Sequence, residues 1–263
     1  MKKSTLSQGI TLENYYLYCL VIFIFFYGVS ITLTSVFYHR AITHSAIELN
    51  PILKSIFLKS SVWLTGIEPK GWACMHRMHH QYSDGPSDPH SPHNNGVFGL
   101  FLAQSKKYEE ILDQIRSKDP KIMSVIEDLD FPLHPLYQSG SLIWLTPYFS
   151  HAALALCFGY FTGFWLMGAC YFVGLMSHPV QGWMVNSFGH FSGKRNFDLP
   201  DKSTNNFFVM LLCLGEGLQN NHHQYPDAAK FSLKWYEIDM GYSICLVLSW
   251  LGLLKFSANS KVP

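Results

Sequence analysis

The chain alternates between long charge-free runs and short polar segments crowded with histidine. Tyr15 to Tyr38 carries no charged residue. As a helix it would be about 36 Å long, enough to cross a bilayer. It is longer than a signal-peptide core, and no small-residue cleavage site follows, so the pattern predicts an uncleaved transmembrane helix. A polar stretch, Met1 to Asn14 with Lys2 and Lys3, precedes it. Phe131 to Gly193 contains no Asp, Glu, Lys or Arg, ample for two more spans. Gly159 and Gly163 mark the turn between them. Spans are therefore expected near 15–38, 141–158 and 163–185. Asn50 to Ile67 carries Lys54 and Lys59 and reads as an interfacial or protein-covered helix. Phe207 to Leu214 is too short to span, and Gly241 to Leu254 suits an interfacial helix. Asp84 to Asn95 is a turn-rich loop, and Gln104 to Asp130 a solvated helical segment. The expected fold is an all-α integral membrane protein. About three transmembrane helices, with interfacial helices, carry a cytosolic His-rich cap from 39–130 and 186–240, and 1–263 form one domain.

Composition agrees. Charged residues are 14%, below the ~25% of soluble domains. The net charge of +1 gives no reason to expect nucleic acid. Six cysteines lie apart without a C-x-x-C pair, which argues against a disulfide framework, a thiolate zinc site or an iron–sulfur cluster.

The chemistry lies where the apolar runs end. In WACMHRMHHQYSDGPSDPHSP, which begins at Trp72, His76, His79 and His80 sit at i, i+3 and i+4, on one face of a helix. His39 and His44 follow the first span at i, i+5, a spacing that meets one site only if the helix distorts. Asn186-Ser187-Phe188-Gly189-His190 closes the third run, and GEGLQNNHHQYP holds Gln219, His222 and His223. Eight imidazoles are too many for one ion and suit two. A nitrogen-rich set fits iron, copper, nickel or zinc. His90 and His93 are expected near the site but not as ligands, and His134 and His151 have no patterned partner. His178 reads as a buried, hydrogen-bonded histidine or a pocket-lining one. Glu216 reads as a satisfied polar residue or one that orients an imidazole.

These segments, from Tyr15 to Tyr242 and in this order, resemble the signature boxes of the membrane fatty-acyl desaturases of the stearoyl-CoA Δ9 type. Trp72, Asp88-Pro89-His90 and Arg195-Asn196-Phe197-Asp198 are smaller echoes. The resemblance implies a multi-pass membrane enzyme with its active site facing the cytoplasm. It implies two non-haem iron ions, with O2 as co-substrate, held by His39, His44, His76, His79, His80, His190, His222 and His223. Asn186 would reach one metal through water. The expected reaction puts a cis double bond, at Δ9, into a saturated acyl chain carried on CoA or a lipid. The expected electron source is a separate cytochrome b5-like or ferredoxin-like donor with its reductase.

The sequence departs from the pattern at Gln219, where the family has histidine. Its amide either binds metal weakly or hydrogen-bonds a neighbour. The chain is also expected to lack the first of the family's two helical hairpins. Two other readings stay open: a membrane di-iron hydroxylase, and a degenerate member without turnover.

Overall fold

The computed structural model describes residues 11–140 and 142–260. Lys2 and Lys3, and Ser141 at the start of the second expected span, lie outside it. Helix α1 (Leu12–Thr32) is capped by Thr11, whose hydroxyl accepts from Asn14 N. Its outer face shows Leu17, Leu20, Val21, Ile24 and Phe25, a continuous apolar surface. Without a break the chain continues as a π-helix, Leu33–Thr43. The two form one apolar rod, Leu12–Thr43, long enough to cross a membrane.

Strand β1 (Ile47–Leu49) leads into α2 (Pro51–Thr65) and then α3 (Pro69–Tyr82). Both helices begin with proline at a position where the missing N–H goes unmissed, behind capping side chains of Asn50 and Glu68. Helix α4 (Leu100–Arg116) is amphipathic and buries Ile111, Leu112 and Ile115. The cap core gathers Val36, Tyr38, Phe57, Cys74 and Ile111 from these elements.

Helix α5 (Thr146–Thr162) extends a short 3-10 turn and completes a second membrane-length segment, Leu142–Thr162. Gly159 lies inside it, so the expected turn at Gly159 and Gly163 shrinks to Gly163 alone, whose φ of 79° needs no Cβ. The expected helix 163–185 is not one helix. It divides into α6 (Trp165–Leu175) and α7 (His178–Phe191). Pro179 has no N–H, and its ring would clash with the carbonyl four residues earlier, so α6 stops before it. At 11 residues α6 is about 16 Å long, too short to span alone. Two helices among the described residues, rather than three, are long and apolar enough to cross a membrane.

Short helices α8 (Phe207–Leu212) and α9 (Gln219–Gln224) return to the cap. Helix α10 (Met240–Trp250) precedes β2 (Leu254–Phe256), which pairs antiparallel with β1. The fold is otherwise helical, as expected, and this two-stranded ribbon is its one small sheet among the described residues.

Candidate metal centre

One π-helix and three α-helices bring the imidazoles together. In the π-helix, hydrogen bonds run from i to i+5, and His44 N donates to His39 O across that step (3.1 Å). Residues five apart therefore stand one above the other, and the His39 and His44 rings lie 4.9 Å apart. The ordinary α-helix α3 puts His76, His79 and His80 on one face. Helix α7 carries His190 in its last turn, and α9 carries Gln219, His222 and His223.

The histidines form two clusters. His39, His44, His76, His80 and His222 make one, and His79, His190 and His223 the other. Within each, the candidate ligand atoms lie within 4.8 Å of one another. His79 also belongs to a buried group with Asp88 and His90.

Carboxylates hold the outer ring nitrogens. In the five-imidazole cluster, His39 Nδ1 meets Glu216 Oε2 at 2.6 Å. Glu216 Oε1 accepts from Arg40 Nη1 (2.7 Å) and Ser35 Oγ (2.5 Å). Arg40 is fully buried and also donates to Asp239 and Ala229 O. In the three-imidazole cluster every ring has its own carboxylate. His79 Nδ1 meets Asp88 Oδ2 (2.9 Å), His190 Nδ1 meets Asp84 Oδ2 (2.9 Å), and His223 Nδ1 meets Asp201 Oδ2 (2.8 Å).

Charge follows from this packing. Burial, reinforced by neighbouring imidazoles, holds His44, His76, His79, His80 and His222 well below the usual histidine value. Burial brings His223 down to about 4, with Asp201 opposing. Burial pushes Glu216 up, but His39 and Arg40 outweigh it and leave it at about 2. Asp84 behaves alike: burial raises it, and His190 brings it to about 2. Among the carboxylates that hold these histidines, burial wins at Asp88, raised to about 6.

The donor set calls for a cation. A carboxylate only accepts, so Nδ1 of His79 and of His190 carries a proton, which in a neutral ring leaves Nε2 as a lone pair. These two lone pairs face each other at 3.2 Å. His223 Nε2 and His44 Nε2 are buried with no hydrogen-bond partner. Unsatisfied acceptors this close repel and are costly to bury unless a positive ion lies between them. The residues present therefore fit a transition metal at each cluster.

A cavity of about 500 Å³ reaches the centre. His39, His76, Asn186 and Gln219 stand at its inner end, and Ile31, Trp72, Met75 and Val185 give apolar wall. His79, His190 and His223 do not line it. Gln219 is 1% exposed, and its amide nitrogen donates to Glu216 O (2.7 Å). A Cβ on Gly189 would lie 2.5 Å from Gln219 Cγ, so glycine lets this side chain in beside His190.

The structure thus gathers all eight sequence-predicted histidines, with Asn186 and Gln219 on the cavity beside them. Glu216 does orient an imidazole. His93 meets His190 O (2.8 Å), and His90 packs on His79. His178 meets Tyr148 OH (3.1 Å) and lines the cavity. His134 caps the short helix Pro135–Gln138, and His151 meets Trp63 O and the Tyr171 hydroxyl. Sequence reasoning missed Asp84 and Asp201 as partners of histidines, and Arg40 as the buried hub. Asp88 was noticed only as part of a motif echo.

Comparison with known proteins agrees with this geometry. The fatty acid desaturase family model matches residues 16–245. An acyl-CoA C20 Δ5-desaturase of Anemone leveillei is 29% identical over 88% of this chain and 69% of its own length. An acyl-CoA 5-desaturase of the same organism is 30% identical over 88% and 67%. An sn-1 stearoyl-lipid 9-desaturase of Anabaena variabilis is 29% identical over 86% and 77%. With the match running from the first apolar helix through the last histidine box, this chain belongs to the fatty acid desaturase family, whose members are oxidoreductases.

Proposed function

We propose that this chain is an O2-dependent di-iron fatty-acyl desaturase that puts a cis double bond, at Δ9, into a saturated acyl chain. The observation that carries the reading is the five-imidazole cluster on a largely apolar cavity, with the three-imidazole cluster packed behind it. In this reading His39, His44, His76, His80 and His222 hold one iron. His79, His190 and His223 hold the other, with the Gln219 amide oxygen beside them and Asn186 reaching it through water. Iron bound there supplies the activation of O2 needed to break two unactivated C–H bonds. The acyl chain gives up two hydrogens from neighbouring methylenes. O2 takes them with two electrons and two protons, and two waters leave.

The chain's own residues prepare this step. Glu216, Asp84, Asp88 and Asp201 fix the Nδ1 protons, so that each partnered ring turns Nε2 inward. Trp72, Met75, Ile31 and Val185 exclude water and hold an alkyl chain that offers no polar handle, so wall shape selects the carbons that react. The relatives are named for positions 5 and 9 and for CoA and lipid carriers. Δ9 rests on the resemblance of the boxes, and the substrate class is acyl-CoA or acyl-lipid. Residues 1–263 act in this reading as one membrane-embedded domain. It has three crossings, the third broken between α6 and α7, and an active site facing the cytoplasm. A separate cytochrome b5-like or ferredoxin-like donor with its reductase brings the electrons.

The test is gas chromatography–mass spectrometry of total fatty acids from a host that expresses this chain and supplies an electron donor, with double bonds located by derivatisation. A new Δ9 monounsaturated acid, absent with His79→Ala, is expected. A new hydroxy acid would replace this reading with a hydroxylase, and a bond at another carbon would correct the position.

A further inference from the structure

The apolar wall of the cavity is interrupted on α7. This helix lines the cavity along one face, through His178, Gln181, Gly182, Val185 and Asn186. Asn186 stands at the inner end. Gln181 lies five residues before it and His178 eight, about 7.5 and 12 Å along the helix axis. Each of these two side chains carries a buried atom with no hydrogen-bond partner in the protein, Gln181 Oε1 and His178 Nδ1.

The neighbours fix which atom of Gln181 is free. Ser177 Oγ gives its one proton to Gly174 O (2.6 Å), so it can only accept from Gln181 Nε2 (2.7 Å). The amide oxygen is left as an unpaired acceptor on a side chain that is 2% exposed and lines the cavity. His178 Nε2 meets Tyr148 OH (3.1 Å), which holds the ring and leaves Nδ1 open. Tyr148 lines the cavity too, and Gly66 admits its ring, since a Cβ there would clash with it. Gln104 Nε2 donates to Pro179 O (3.2 Å) and ties this turn of α7 to α4.

A buried acceptor without a partner is costly, so its retention points to a ligand group that pairs with it. A saturated chain alone has no preferred register in a tunnel, because each methylene makes much the same apolar contacts as the next. A hydrogen bond at a fixed distance from the metal end supplies one. Ester and thioester oxygens only accept and cannot satisfy Gln181, whereas a hydroxyl or an amide N–H can.

We propose that Gln181 and His178 form a polar subsite for a neutral hydrogen-bond donor of the substrate, a hydroxyl or an amide N–H. Gln181 Oε1 accepts from it, and His178 Nδ1 meets the oxygen of the same group. The bond fixes how far the acyl chain reaches toward the metal end, and so which methylenes stand there. The inference rests on the desaturase reading for the acyl occupant of the cavity.

The experiment measures binding to the full chain in nanodiscs, with empty nanodiscs as the blank. Tryptophan fluorescence reads it, since Trp72 and Trp144 line the cavity. Two matched pairs of probes differ only in the donor. S-stearoyl-N-acetylcysteamine and its analogue with oxygen in place of the amide N–H test a donor on the carrier arm. Methyl 2-hydroxystearate and methyl stearate test a donor on the chain. Wild type should bind the donor-bearing member of one pair at least about tenfold more tightly, and that pair names the source. Gln181→Met keeps the side-chain length without the acceptor. It should lose the preference, with affinity for the donor-free probes unchanged, and Gln181→Leu replaces it if the methionine variant does not fold. His178→Phe should reduce the preference at least threefold. Equal binding within both pairs overturns the proposal, as an acceptor served by water alone would give, and leaves the desaturase reading standing. A preference that survives without the Gln181 acceptor, or is untouched in His178→Phe, also overturns it. If wild type binds none of the four probes, the acyl-chain reading of the cavity falls and the subsite with it.

Discussion

The five-imidazole cluster is rich in ring nitrogens and poor in carboxylates. Its one carboxylate partner, Glu216, is itself neutralised by buried Arg40, with side chains only 1% and 6% exposed. The three-imidazole cluster has fewer rings, but each leans on its own aspartate, and two of those aspartates reach the surface loop at Asp201 and Lys202. One cluster is therefore organised around ligand number and sits against the cavity. The other is organised around negative charge and is buried behind the loop that carries Asp201 and Lys202. Equal family membership of the boxes conceals this difference, because the boxes name histidines and not what the histidines lean on.

Removing an imidazole is the largest test of that comparison. His79→Ala should abolish product while membrane insertion stays intact, and metal analysis should show the ion of the five-imidazole cluster retained. Full activity in that variant would end the assignment. Glu216→Ala comes next. It leaves buried Arg40 with Asp239 as its one remaining carboxylate partner, and breaking a buried ion pair destabilises by about 3–5 kcal/mol. A fall in thermal unfolding temperature in detergent should show it, and an unchanged temperature would mean that Asp239 alone satisfies Arg40.

Asp201→Asn should act on the other cluster only. Loss of a carboxylate behind a ligating histidine lowers metal affinity or activity about 10–100-fold. Dialysis against a chelator should strip one ion early and leave the second. Loss of both ions together would show that the clusters are not independent. The smallest effect is expected from Gln219→His, which should change the rate less than tenfold and improve retention of the second ion. Unchanged iron content and rate would remove Gln219 from the metal site.

Much of this was legible in the chain. Charge-free runs located the apolar helices, and the i, i+3, i+4 spacing placed His76, His79 and His80 on one face. The third apolar run was misjudged because absence of charge says nothing of backbone continuity. Pro179 ends α6 by removing a donor and crowding a carbonyl. The His39–His44 spacing became intelligible only with the π-helix, whose i to i+5 bonding has no signature in hydropathy. Asp84 and Asp201 were invisible as histidine partners because they hold rings 106 and 22 residues away.

The sequence by itself determined which elements are apolar and which residue types could meet a metal, since helical periodicity and side-chain chemistry are local properties. It also determined the family, through boxes whose internal spacing survives without coordinates. Only the tertiary structure decided how eight imidazoles divide into five and three, and which carboxylate each leans on. It also decided which cluster lines the cavity. Those are distances between helices, and they are set by how side chains pack across elements far apart in the chain.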